Sequence, residues 1–260
     1  MKDIFEQWRS HLDEGQLEKG NMTPEQIRER LAGKTLIFFD VETTGTQAHR
    51  RSVMVTEIAG VAYDALSGNR LGEMNKKAEL TDDVYEMIEW QKEKIANGEK
   101  ILGMPIEDIL KMTAYYDGDT PIVSEAEMMQ EFADFVHSFD NPILIAHNAR
   151  FDMRMVGKAM ERNGIKNRVY KYPVMDTLTL SRKYLVPLLK RLISLDTSDA
   201  EVVEVLSHIR PKKRFITNLG ALGGAFKVEA KHWHSAISDT EQLADVLSEL
   251  MSFLTNYQKY

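Results

Sequence analysis

Two short apolar runs that end abruptly in polar residues constrain the fold of this chain more than any other feature. Residues 35–39 (TLIFF) lead directly into Asp40, and residues 142–146 (PILIA) lead directly into His147. Apolar runs of about five residues, rich in β-branched and aromatic side chains, are typical of strands buried at the centre of a sheet. Because amphipathic helical stretches alternate with these runs, the sequence predicts an α/β layer architecture.

The remaining pattern predicts further strands, several helices and two kinds of helical addition. Strands are expected at residues 53–63 and 71–80, with a hairpin turn at 67–69. Helices are expected at 82–112 (two helices), 124–139 and 149–163, and from Ser238 towards the C-terminus. Residues 1–33 are interpreted as a helical N-terminal appendage, and residues 34–260 as the main domain with helical insertions near 84–112 and 186–216.

The composition excludes several classes of protein and several kinds of site. The chain contains no cysteine, so disulfide bonds, thiolate metal sites and a cysteine nucleophile are excluded. No stretch approaches the roughly 20 apolar residues that span a bilayer, and no secretory signal is evident, so a cytoplasmic protein without a membrane partner is expected. The formal net charge of −7 argues against a histone-like coating role, since nucleic acid must then be held by a local basic patch or by bound metal ions.

The first chemically informative motif is Asp40-Val41-Glu42, at the end of the first apolar run. Residues two apart in a strand point to the same face, so both carboxylates are expected side by side. Two buried carboxylates repel each other and lose hydration unless a cation neutralises them, and their hard oxygen ligands suit Mg²⁺ or Mn²⁺. The alternative is a solvated strand end that begins a turn at Thr43 and Thr44.

Two further motifs place an acid near the start of a predicted helix. Asp152 follows the second apolar run and falls in the first turn of the next helix, where the alternative role is to complement the helix dipole. His234 and Asp239 are five residues apart, a spacing that separates side chains by roughly 140° on one continuous helix. His234 is therefore expected on the segment leading into the helix, with Ser238 as the N-cap and Asp239 in the first turns. A histidine there can act as a general base near neutral pH; an ordinary surface histidine is the alternative.

These three motifs, in this order, resemble those of the DEDDh (DnaQ-like) family of 3′–5′ exonucleases. The matching segments are residues 39–45 (FDVETTG), residues 147–152 (HNARFD) and the histidine and aspartate of HxxxxD, and the resemblance covers residues 34–256 in motif order. It implies a ribonuclease H-like fold, in which a mixed central sheet is flanked by helices. It also implies two divalent cations, Mg²⁺ or Mn²⁺, held by four carboxylates: Asp40, Glu42, Asp152 and Asp239. His234 is implied as the general base, and contacts to the terminal nucleotide are implied for Thr43, Thr44 and Phe151.

The resemblance also implies a function: release of nucleoside monophosphates from the 3′ end of DNA by two-metal hydrolysis, in DNA replication or repair. Single-stranded DNA and the 3′ ends of a duplex are the expected partners. Two related alternatives stay open, an exoribonuclease that trims RNA ends and a proofreading subunit that binds a DNA polymerase or replication partner through residues 1–33. A non-catalytic binding module is disfavoured because all five catalytic-type residues are present.

A few residues outside these motifs carry open interpretations. Glu57 is interpreted either as support for the site or as a solvent-facing or salt-bridged strand residue, and Asp176 is predicted to cap a helix, with a role in the site as the alternative. Basic clusters at residues 49–51 and 210–214 are either phosphate-binding segments or ordinary solvated loops.

Overall fold

The computed structural model describes residues 33–47, 53–113, 115–116, 118, 120–166, 169–231 and 235–257. The predicted N-terminal appendage therefore lies outside the described residues, apart from Gly33, and so does the candidate general base His234. The basic cluster at residues 49–51 is outside them as well. Within the described part of the chain, no helix is both long enough and apolar enough to cross a membrane.

A six-stranded sheet forms the centre of the molecule. Its strands are β1 (Thr35–Thr43), β2 (Val55–Asp64), β3 (Arg70–Ala78), β4 (Ile122–Val123), β5 (Pro142–Ala146) and β6 (Val174–Asp176). The strand order is β4-β3-β2-β1-β5-β6, and β1 pairs antiparallel with β2 but parallel with β5. The predicted mixed central sheet is therefore confirmed, including the hairpin between β2 and β3.

Helices cover the sheet and connect its strands. They are α1 (Asp82–Ala96), α2 (Ile106–Met112), α3 (Glu125–His137), α4 (Ala149–Arg162), α5 (Thr177–Leu180), α6 (Val186–Ser194), α7 (Ala200–Ile209), α8 (Leu219–Phe226) and α9 (Ala236–Tyr257). A 3₁₀ turn spans Val169–Lys171, and a π-helical turn, Ser181–Leu185, joins α5 to α6. The two helices expected within residues 82–112 are present as α1 and α2.

The start of α9 differs from the sequence-based prediction. The helix begins at Ala236, and the backbone N–H of Asp239 donates to the carbonyl of Ser235 over 2.9 Å, which closes the first turn. Ser238 therefore lies inside the helix and is buried, so its predicted role as the N-cap is wrong. The prediction that Asp239 lies in the first turns of this helix is confirmed.

Strand β1 is buried on both faces, and its alternation determines which face carries the side chains of Asp40 and Glu42. Phe39 packs into one hydrophobic core with α3 and α4, whereas Phe38 packs into a second core with α9. Alternate residues of a strand share a face, so Asp40 and Glu42 continue the face of Phe38. Because α9 packs against that face, its first turn brings Asp239 towards the same two carboxylates.

A buried ion pair fixes α4, the helix that carries Asp152, against α3. The guanidinium of Arg162 donates to both carboxylate oxygens of Glu125 over 2.6 and 2.5 Å. Glu125 is almost fully buried and also accepts from the side chain of Asn163 and from the backbone N–H of Val55 at the start of β2. One carboxylate thus connects two helices to the sheet.

Removal of this guanidinium should destabilise the fold. We expect Arg162→Ala to lower the free energy of unfolding by about 3–5 kcal/mol, because it leaves the buried Glu125 carboxylate without a counter-charge. Urea denaturation measures the change. The control is Lys158→Ala, which removes an exposed cation paired with Glu161 on the same helix and should cost at most about 1 kcal/mol. Equal losses in both variants would contradict a special role for the buried pair.

Candidate metal centre

Three separate elements bring four carboxylates together near the C-terminal end of the central strand β1. Asp40 and Glu42 come from β1, Asp239 from the first turn of α9 and Asp152 from the first turn of α4. One carboxylate oxygen from each of Asp40, Glu42 and Asp239 lies within 4.8 Å of those of the other two. That spacing allows a single cation to contact all three.

Asp152 completes the cluster from the other side. Its side chain is 2% exposed, and its Oδ2 atom has no hydrogen-bond partner among the described residues. A buried carboxylate oxygen without a partner is costly unless a cation satisfies it. Asp152 also repels Asp40 electrostatically, so the fourth acid belongs to the same site.

Burial and mutual repulsion change the acidity of these groups. Burial, followed by repulsion from Asp152 and then Glu42, holds the pKa of Asp40 well above its usual range. Burial, followed by repulsion from Asp239, raises the pKa of Glu42 to about 8. Burial likewise raises the pKa of Asp152 to about 8. Near neutral pH the cluster therefore retains protons that a divalent cation would displace, and oxygen donors of this kind suit hard cations.

Glu57 lies next to the cluster, where sequence reasoning gave it only an optional role. It pairs across the sheet with Glu42 on one side and with Lys77 on the other. Its side chain is only 2% exposed, so the solvent-facing interpretation is wrong. Burial raises the pKa of Glu57 to about 7, with Lys77 acting in the opposite direction. Apart from Thr56 and Glu57, residues 53–63 carry no charged or hydroxyl side chain other than Tyr63, which is consistent with a buried strand but does not identify what covers Glu57.

Asp176 is a second acid beside the site. Its side chain accepts from the backbone N–H of Leu178, which confirms the predicted helix cap. The same carboxylate accepts from the backbone N–H of Asn148 over 2.9 Å, just before α4. Asp176 therefore holds the end of β5 and the start of α4 in place, close enough to repel Asp152.

The three residues predicted to contact a terminal nucleotide lie around the acidic cluster. Thr43 Oγ1 donates to the carbonyl of Gly45 over 2.8 Å, and the buried Thr44 Oγ1 accepts from the backbone N–H of Met54 over 3.0 Å. The turn after β1 is thus fixed by both hydroxyl groups. Phe151 is half-buried on α4, one residue before Asp152, with the guanidinium of Arg154 5.7 Å from its ring centroid. Their contacts to a nucleotide stay predictions.

The raised pKa values predict that, in a buffer with a chelator, the stability of the folded protein falls as pH rises. The folded pKa values of Glu42 and Asp152, about 8, exceed the values near 4 expected in the unfolded chain, so the folded state binds more protons between these limits. We expect the melting temperature to fall as pH rises from about 4 to about 8, and Mg²⁺ or Mn²⁺ to restore it at the alkaline end.

The variant Asp152→Asn isolates this effect, because it removes one of the repelling charges. In chelator it should lose less stability than the wild type across the same pH range, whereas Asp134→Asn, at an exposed position on α3, should follow the wild type. Parallel melting curves for Asp152→Asn and Asp134→Asn would show that the cluster does not govern the pH dependence.

Comparison with known sequences finds relatives among PolC-type DNA polymerase III and ribonuclease T. DNA polymerase III PolC-type from Bacillus subtilis (strain 168) is 27% identical over 221 residues, covering 85% of this chain and 12% of the relative. The corresponding protein of Pediococcus pentosaceus is 27% identical over 213 residues, 81% of this chain and 11% of the relative. Ribonuclease T from Haemophilus influenzae (strain PittEE) is 25% identical over 236 residues, 90% of this chain and 85% of the relative. The chain thus spans 11–12% of the length of these two polymerases, and no protein-family model matches it.

Solved structures share the fold. E. coli Exonuclease I in complex with a dA16 oligonucleotide has a TM-score of 0.51 and 16% identity, covering 86% of this chain and 42% of that protein. Cell-death related nuclease 4 has a TM-score of 0.51 and 15% identity, with coverage of 84% and 64%. At these identities the likeness shows the fold alone. With the sequence relatives, it confirms the resemblance that the three motifs predicted: this chain is similar, in sequence and in its ribonuclease H-like fold, to the DEDDh (DnaQ-like) 3′–5′ exonucleases.

Proposed function

We propose that this chain is a metal-dependent 3′–5′ exonuclease that releases nucleoside monophosphates from the 3′ end of DNA. The observation that carries the proposal is the convergence of Asp40, Glu42 and Asp239 within 4.8 Å of one another, with the buried Asp152 close enough to repel Asp40. Burial and mutual repulsion disfavour such a cluster, and divalent cations with oxygen ligands offset both effects. The relatives support the same activity, since they include ribonuclease T in sequence and Exonuclease I in fold.

Each residue of the site has a proposed role in hydrolysis. Asp40, Glu42, Asp152 and Asp239 would hold two cations, Mg²⁺ or Mn²⁺. Such cations, when bound, would supply a lowered pKa for a water molecule and stabilisation of charge on the scissile phosphate. The carboxylates stand on a rigid strand and on helix starts, so little reorganisation accompanies the reaction. His234, assigned from its motif, takes the proton of the attacking water.

The 3′-terminal nucleotide is assigned to the surface around the cluster. Thr43 and Thr44 form a turn whose hydroxyl groups are already bonded, so the backbone of that turn is a fixed surface against which a sugar can be placed. Phe151 offers an aromatic ring one residue before Asp152. Stacking of a base on such a ring tolerates any base, as a sequence-independent exonuclease requires.

A second candidate substrate is RNA, because one relative, covered over 85% of its length, is a ribonuclease T. DNA is favoured as the first substrate, since several relatives are DNA polymerases and Exonuclease I has been solved with single-stranded DNA. The polymerase relatives also support a proofreading context, in which residues 1–33 bind a polymerase or another replication protein.

Substitution of single site residues should remove activity without unfolding the chain. We expect Asp152→Asn and His234→Ala each to lower kcat by about 100-fold or more, because one loses a metal ligand and the other a general base. Release of mononucleotides from 5′-labelled single-stranded DNA in Mg²⁺ measures the effect. Asp134→Asn and His208→Ala, two exposed positions, are the matched controls and should keep wild-type rates. Near-native turnover by the site variants would contradict the assignment.

An assay of DNA and RNA oligonucleotides of the same sequence distinguishes the two candidate substrates. We expect the wild-type chain to degrade 5′-labelled single-stranded DNA in Mg²⁺ or Mn²⁺, with a ladder that shortens from the 3′ end and stops on addition of chelator. RNA of the same sequence, assayed in parallel, should be degraded more slowly. A faster rate on RNA would favour the exoribonuclease, and no 3′ shortening of either substrate would refute both candidates.

A further inference from the structure

A basic cleft opens beside the metal centre. It encloses about 650 Å³, and its walls include His147 and Asn148 from the end of β5, Arg182 from the π-helical turn, and Arg214 and Phe215 from the loop before α8. This volume lies within the range of about 300–1,000 Å³ that is typical of ligand clefts. Apart from His147 and Asn148, these residues fall outside the three motifs, so the exonuclease resemblance assigns the arginines no role.

The sheet places this cleft next to the carboxylates. Strands β1 and β5 run parallel, with Phe38 opposite Ile145, so His147 leaves β5 at the level of Asp40 on β1. Asn148, the next residue, is bonded through its backbone to Asp176. A polymer whose end lies at the carboxylates can therefore continue directly into the cleft.

The charge of the cleft is opposite to that of the chain as a whole. Both arginines are exposed, and no acidic side chain lines the cleft within the described residues. Two further cations approach the ring of Phe215, with Arg210 at 5.5 Å and Lys190 at 5.8 Å from its centroid. In a chain of net charge −7, four cations around one cleft form a local positive region.

The loop that carries Arg214 is held in place at both ends. The backbone N–H of Ile216 donates to the carbonyl of Ile209 over 2.7 Å, which ties the loop to the end of α7. Asn218 then caps α8 by accepting from the backbone N–H of Ala221 over 2.8 Å. Because the loop is anchored, its backbone needs little ordering when Arg214 binds a ligand.

We propose that this cleft binds the phosphodiester backbone of a single strand, upstream of the nucleotide being removed. Arg182 and Arg214 bind phosphate oxygens, since the guanidinium group suits bidentate contact with phosphate, while Phe215 and Ile216 provide an apolar wall for sugars or bases. The inference rests on the proposed exonuclease function and adds to it: the substrate is a strand of several nucleotides, and its backbone is held at a site separate from the carboxylates.

The test compares two double variants of equal charge. R182A/R214A removes both arginines of the cleft, and R191A/K212A removes two exposed cations from α6 and from the loop before α8 that do not line the cleft. Each protein is assayed on a long oligothymidylate and on the p-nitrophenyl ester of thymidine 5′-monophosphate, which has no upstream phosphate. We expect the ratio of kcat/KM for the oligonucleotide to that for the ester to fall about 10-fold or more in R182A/R214A only.

Binding of the same oligonucleotide in chelator gives a readout that needs no catalysis. Fluorescence anisotropy over a range of salt concentrations should show the slope of log Kd against log salt reduced by about 1.4 in R182A/R214A, for two lost phosphate contacts. Equal slopes and equal kcat/KM ratios in both double variants would overturn the inference. Failure of the wild type to hydrolyse either substrate would instead refute the proposed function, and the binding slopes would still decide on the cleft.

Discussion

Repulsion between buried carboxylates is the physical constraint on which the functional end of this molecule depends. Burial and mutual repulsion hold the pKa values of Asp40, Glu42 and Asp152 above their usual range, so the rest of the fold must offset the cost of bringing these carboxylates together. The opposing stabilisation comes from the two hydrophobic cores on either side of β1 and from the buried Glu125–Arg162 pair behind α4. A divalent cation relieves the repulsion between these carboxylates. The affinity of the cluster for the cation is higher for that reason, and binding stabilises the folded protein.

Much of this arrangement could be predicted from the sequence because its causes are local. Alternation along a strand is enough to place Asp40 and Glu42 on one face, and short apolar runs are enough to mark β1 and β5 as central strands. The turn chemistry between β2 and β3 and the cap formed by Asp176 depend on neighbouring residues only, and both predictions were confirmed. The mixed sheet followed from the family resemblance, since periodicity alone does not reveal strand order.

Features that depend on distant contacts were beyond such reasoning. Glu57 is buried because α9 covers its face of the sheet and because Lys77 lies opposite on β3, and neither neighbour is evident from the residues around it. The predicted start of α9 at Ser238 was wrong, because the backbone N–H of Asp239 donates to the carbonyl of Ser235 and closes a helical turn before the side-chain capping signal. The cleft arginines come from two separate segments, the π-helical turn and the loop before α8, so their meeting depends on tertiary packing.

The π-helical turn between α5 and α6 has a consequence for how such a cleft can arise. A π turn holds one more residue than the α-helical turn it replaces, and such turns are frequent at functional sites. Each residue of an α-helix advances by about 100° around the helix axis. A single inserted residue therefore rotates the helix after it relative to the helix before it, while both segments stay helical. Arg182 lies within that turn. One residue gained or lost in this turn would therefore rotate Arg182 by about 100° around the helix axis relative to the helix that follows, and would change which part of the cleft its guanidinium can reach.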